Sequence, residues 1–215
     1  EFAENCPWPA GPEDHIRVDL SDQEDVGYAI SEIRRRLEAN GSTLNALVNN
    51  AAISPKALGG SRLDSIQTPM HMWRDVFQGN FFAPIMLARG LFKELSKARG
   101  SIVNITSIAG HRGFTEHLCY AASKAGLEGA SRVMAKEFGP HGIRVNCVAP
   151  TITLTELAAE AWSDPEKAQP MMVRHPMERF AEADEVAETI AMMLSDDAKM
   201  MTGAVVPVDG GFLAV

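Results

Sequence analysis

Four short apolar runs constrain this chain most: Leu44–Val48, Ser101–Ile105, Ile143–Val148 and Ala204–Val208. Each is a compact stretch of mainly apolar residues that gives way to polar or small ones, as buried strands do. Between them the spacing becomes helical. Val26, Ile30, Ile33 and Leu37 form one stripe, and Met72, Trp73, Val76, Phe77, Leu87, Leu91 and Leu95 form a second. Asp184–Leu194 is a third amphipathic stretch. Strands alternating with helices predict an α/β domain with a parallel, doubly wound sheet. Ligands of such sheets bind beyond the carboxyl ends of the strands. Asn49, Ser107 and Pro150 stand at such ends and are expected on one rim.

The local signals add detail. Residues 1–14 carry Pro7, Pro9, Gly11 and Pro12 and read as irregular, leaving residues 15–215 as one domain. His15–Leu20 alternates like a strand. Ser21 reads as a helix N-cap with Glu24 completing a capping box, and Asn40-Gly41 as the helix end. Thr68 reads as a second cap, with Pro69 at the first helical position. Residues 53–67, with Pro55, Gly59 and Gly60, read as a loop. Residues 151–180, broken by Pro165, Pro170 and Pro176, read as a long loop of the kind that covers a site. Its Trp162, Met171, Met172 and Met177 suit either an adaptable apolar pocket or the core.

Composition excludes several classes of function. A net charge of −8 argues against nucleic acid, and no apolar run reaches membrane-spanning length. The three cysteines, Cys6, Cys119 and Cys147, are far apart and suit a reducing cytoplasm better than a disulfide framework. The six histidines show no metal-ligand spacing beside them.

The chemistry-bearing stretch is Ser107–Lys124. Tyr120 and Lys124 are four apart, so they share one helix face. A cation beside a phenol favours the phenolate and brings its pKa down toward neutrality, where it can transfer a proton. A serine arriving from the preceding strand suits a hydrogen bond to a carbonyl or alcohol oxygen. A hydride must then come from a cofactor, because no side chain supplies one. Asn80 sits on an otherwise apolar helix face four residues before Pro84, which has no N–H to give its carbonyl. That carbonyl then either holds a water or merely marks a kink. Glu116 and His117 precede Tyr120 and are read either as substrate contacts or as surface residues.

Together these residues resemble the short-chain dehydrogenase/reductase family, from about Ile16 to Gly211, and most closely its bacterial carbonyl reductases of the 3-oxoacyl-reductase type. Asn49-Asn50-Ala51-Ala52, Ile102–Ser107, Tyr120-Ala121-Ala122-Ser123-Lys124 and Val208-Asp209-Gly210-Gly211 carry the resemblance. It implies a Rossmann-like fold and hydride transfer between NAD or NADP and a small carbonyl or alcohol substrate. It implies catalytic roles for Asn80, Ser107, Tyr120 and Lys124. It sets Asp19, Asn49, Ala51, Tyr120, Lys124, Pro150 and Thr155 against the cofactor, Asp19 at the adenine and Thr155 at the nicotinamide carboxamide. It also implies a homodimer or homotetramer, with no metal, nucleic acid or membrane partner.

Two departures qualify it. Thr151 stands where the family usually has glycine. The first strand-helix-strand unit, with its glycine-rich turn for the pyrophosphate, is lacking, a stretch of roughly 30 or more residues. Such a shortened chain leaves the Val18 strand to pair with the Leu47 strand, to pair with another chain, or to stay poorly ordered. It also leaves an alternative reading, a catalytically impaired remnant acting as a fold or an interaction partner.

Overall fold

The computed structural model describes residues 15–54, 63–155, 158 and 162–215. The irregular segment 1–14 and Pro55, Gly59 and Gly60 lie outside them. Four parallel strands make the main sheet, in the order β1 (Ala46–Asn49), β2 (Ser101–Ile105), β3 (Arg144–Pro150) and β6 (Val205–Val208). β4 (Thr153–Leu154) and β5 (Ala181–Glu182) form a separate parallel pair. The helices are α1 (Gln23–Ala39), α2 (Met70–Phe77), α3 (Ala83–Gly90), α4 (Phe92–Ala98), α5 (Leu118–Phe138), α6 (Pro165–Met172) and α7 (Ala183–Leu194).

Two apolar clusters cover the sheet. One joins Val26 and Ile30 of α1 to Leu91, Leu95, Ile102, Met134, Phe138 and Val145. The other joins Val103, Ile105 and Val148 to Val186 and Met193 of α7. β2 is buried at every position, as its continuous apolar run requires, whereas β1 lies at the sheet edge and exposes Val48. Asn104, in the middle of β2, is fully buried because its amide is engaged on both sides. It accepts from Asn49 Nδ2 at 2.7 Å and donates to Ser131 Oγ at 2.8 Å.

Several local expectations are corrected. His15–Leu20 forms no strand; it has no regular structure and lies beside the core, with Val18 and Leu20 packed on the first cluster. Of the three fates open to it, pairing with β1 is not taken, and a strand without a ladder partner is not defined as one. The cap of α1 is Asp22 rather than Ser21, since Asp22 Oδ1 accepts from the Glu24 N–H while Ser21 turns back to Asp19. Pro69, not Thr68, is the N-cap of α2, and the Thr68 hydroxyl donates to the Asp64 carbonyl. The 151–180 stretch is more structured than a loop, because it holds β4 and α6.

Between α2 and α3 the helix widens to a π-helical turn at Gln78–Phe82. The cause is Pro84. It brings no N–H to the ladder, and the Ala83 N–H bonds the Gln78 carbonyl five residues back instead of four. The widened turn carries Asn80 inward.

Candidate active site

β2 ends at Ile105, and the chain then leaves the sheet in extended backbone at Ser107 (φ −170°). The Ser107 hydroxyl accepts from the Ala109 N–H at 3.1 Å and so caps a 3₁₀ turn, Ile108–Gly110. That turn rests on α5. Just beyond it, His111 Nε2 lies 2.9 Å from the buried Glu128 carboxylate, a close contact without hydrogen-bond alignment.

Tyr120 and Lys124 fall one helical turn apart near the start of α5, as their spacing predicts. Tyr120 is half-buried. Lys124 is almost wholly buried, at 2% exposure. Its Nζ donates to the Ile105 carbonyl at 2.6 Å and lies 5.7 Å from the centre of the Tyr120 ring. Burial disfavours the ammonium and brings its pKa down to about 8. The helix that carries the phenol is thereby fixed to the strand that delivers the serine, through a cation held between them.

Asn80 is fully buried, and its side chain holds the turn after β1. Its Oδ1 accepts from the Ile53 N–H and its Nδ2 donates to the Ile53 carbonyl, both at 2.8 Å. Nδ2 also reaches Ser123 Oγ at 3.2 Å, and Ser123 donates to the Tyr120 carbonyl at 2.7 Å. Ser123 was not singled out by sequence reasoning. The signal for it is its place three residues after Tyr120, where it shares that helix face with the phenol.

The other named residues are spread along the same rim. Asp19 accepts from both the N–H and the hydroxyl of Ser21, which hold its carboxyl below the usual range. Ala51, Ala52, Gly79 and Asn80 face Asp19 across a cavity of about 860 Å³. Asn49 lies at the end of β1, with its side chain on Asn104 rather than on the cavity. Pro150 ends β3, and Thr155 is exposed, its hydroxyl accepting from the Ala158 N–H at 3.3 Å. His117 packs edge-on to Tyr120 at 6.3 Å, with Nδ1 against the Thr115 carbonyl. Trp162 packs edge-on against Phe180, whereas Met177 is mostly exposed and fits neither reading of the apolar residues in 151–180.

The arrangement suits proton transfer at the Tyr120 phenol. Burial pushes the Cys119 and Cys147 thiols up to about 11, which keeps them un-ionised and poorly nucleophilic. No cluster of three or more metal-ligating side chains occurs among the described residues, and no helix among them is long and apolar enough to cross a membrane.

Known proteins resemble this chain in sequence and in fold. A family profile described as enoyl-(acyl carrier protein) reductase matches residues 5–213. Protein FixR of Bradyrhizobium diazoefficiens is 45% identical over 209 residues, covering 97% of this chain and 73% of that one. L-xylulose reductase of Bos taurus is 38% identical over 207 residues, covering 93% of this chain and 77% of that one. A crystal structure of an oxidoreductase of the short chain dehydrogenase/reductase family from Brucella ovis, in complex with a partially ordered NAD, is 55% identical. It superposes with a TM-score of 0.78 over 96% of this chain and 83% of that one. The matched profile, the relatives and the superposed fold agree, and the chain belongs to the short-chain dehydrogenase/reductase family of NAD(P)-dependent oxidoreductases.

Proposed function

We propose that the chain interconverts a carbonyl and an alcohol on a small molecule, with Tyr120 moving the proton. The observation that carries this reading is Lys124, an amine that is nearly all buried yet ties the end of β2 to the helix under Tyr120. A cation so placed lowers the cost of a phenolate. Tyr120 then gives a proton to the substrate oxygen in reduction and takes it back in oxidation. Ser107 donates a hydrogen bond to that same oxygen and orients it. Asn80 keeps the Ala51–Ile53 turn in place, and its own carbonyl, denied the N–H of Pro84, is the expected seat of a relay water.

The residues present fit a nicotinamide dinucleotide at two places. An ammonium carries three donors, and beyond the bond to Ile105 the amine of Lys124 suits ribose hydroxyls. At the far end, the Asp19 carboxylate borders the cavity beside Ala51 and Ala52, with room for an adenine. When bound, the nicotinamide supplies or accepts the hydride. Among the relatives, L-xylulose reductase and D-erythrulose reductase are named for polyhydroxylated ketones, which makes that class the first substrate to try.

Titration with NADH and NADPH, read by fluorescence, tests the proposal. Micromolar binding of one of them is expected, followed by turnover with a polyhydroxylated ketone panel. No binding at millimolar cofactor would falsify the oxidoreductase reading for this chain and leave the non-enzymatic one. We place the chain in a homodimer or homotetramer built through α2, α3 and α5, supported by exposed Met70, Phe82 and Val133 on those helices and the turn between them. Light scattering on a sized peak is expected to give at least twice the chain mass; a monomer overturns that assembly. Free, buried thiols at Cys119 and Cys147 suit a cytoplasmic setting.

A further inference from the structure

We infer that Thr151 and His175 form a positioning pair that fixes the Trp162–Phe180 arm to the carboxyl end of β3. His175 follows α6 and is fully buried. Both of its ring nitrogens have partners. Nδ1 lies 2.9 Å from the Met171 carbonyl and Nε2 lies 2.6 Å from the Thr151 hydroxyl. A carbonyl only accepts, so Nδ1 carries a proton, and in the neutral ring Nε2 then accepts from the Thr151 O–H. Thr151 is held in turn, because its N–H donates to the Val208 carbonyl at 3.1 Å and its own carbonyl accepts from the Thr153 hydroxyl.

This tie exists because residue 151 has a hydroxyl. The glycine expected there from the family resemblance has no side chain, and the buried Nε2 would then face no donor. The pair closes a ring of contacts around the end of the sheet. The Met177 N–H donates to the Gly210 carbonyl at 3.1 Å. Gly211, at a φ of 86°, lies so near Pro176 that an added Cβ would come within 2.8 Å of that ring. His175 also packs on Phe212 at 5.0 Å, Phe212 on Phe114 at 5.7 Å, Phe114 on His117 at 5.8 Å, and His117 on Tyr120 at 6.3 Å. The seat of the arm is therefore in van der Waals continuity with the loop that leads into Tyr120. The consequence for Pro150–Thr155 as a nicotinamide-facing segment rests on the proposed function; the tie itself does not.

Amide hydrogen exchange tests it without any need for activity. In Thr151→Val, which keeps the shape and loses the hydroxyl, exchange at His175 and Met177 is expected to accelerate about tenfold or more, while β2 stays unchanged as the internal reference. Thr151→Ser is expected to restore wild-type exchange, and in a His175→Phe background Thr151→Val is expected to add nothing. Wild-type exchange in Thr151→Val, or equal loss in the serine variant, overturns the pair. On the kinetic side, Thr151→Val is expected to raise the cofactor KM more than it lowers kcat. An unchanged KM overturns the link to the cofactor segment. A chain that binds neither NADH nor NADPH still returns a clear answer by exchange, so the two proposals fail separately.

Discussion

Tyr120→Phe is expected to lower kcat by about a thousandfold, the scale of a lost general acid-base group, while NADH or NADPH binding changes by no more than about threefold. The reasoning is geometric. Phenylalanine keeps the ring that packs against His117 and stands over Lys124, so the rim keeps its shape. Only the ionisable oxygen goes, and no other described group is so placed to replace it. The nearby thiols are buried and held un-ionised near neutral pH. Ser107 already serves as acceptor for the Ala109 N–H and has an ordinary alcohol behind it, so it orients an oxygen rather than ionising. Single-turnover rates of Tyr120→Phe and wild type, beside equilibrium binding for both, separate the two effects. A variant within tenfold of wild type in kcat removes Tyr120 from its assigned role.

Much of this was legible in the sequence because it depends on local spacing. Tyr120 and Lys124 share a face by helical periodicity alone, and Pro84 announces a fault in its helix by lacking an N–H. Elements set by one residue's choice between partners were less legible. Ser21 and Asp22 are both good caps, and Ser21 lost because the Asp19 carboxylate offered its hydroxyl and N–H a charged acceptor. His15–Leu20 has a strand's alternation, but alternation specifies a face and not a neighbour, and the observed order leaves nothing hydrogen-bonded to it as a ladder. Helical spacing puts Ser123 on the Tyr120 face, but its contact with Asn80, 43 residues away, and that of His175 with Thr151, 24 residues away, are tertiary contacts that no periodicity reveals.

Lys124→Met is expected to abolish turnover and, in the absence of cofactor, to erase a pH dependence of stability that the wild-type chain shows between about pH 8 and 10.5. Burial is the cause. The folded chain holds the Lys124 proton with a pKa of about 8, whereas an unfolded chain holds it at about 10.4. Between those values the unfolded state binds more protons, so this group makes stability rise with pH. Below about pH 8 both states are protonated and the full cost of a buried ammonium is present, an upper bound of about 3 kcal/mol at roughly 1.4 kcal/mol per pKa unit. Methionine has no charge to bury, but it leaves the Ile105 carbonyl without its donor, which costs about 1–3 kcal/mol. The two changes nearly cancel at pH 7, so the informative quantity is the difference in urea midpoint between the two proteins as pH is raised. Wild type should gain on Lys124→Met from pH 8 to 10, and parallel profiles would mean that the amine is not desolvated as the structure has it. Cofactor binding supplies the converse. Ribose hydroxyls beside the ammonium favour its charged form, so the wild-type Kd should weaken above pH 8, by up to about tenfold per unit, and proton uptake on binding should vanish in Lys124→Met. On the proposed function, the same buried charge that lowers stability at neutral pH is what holds the ribose and readies Tyr120.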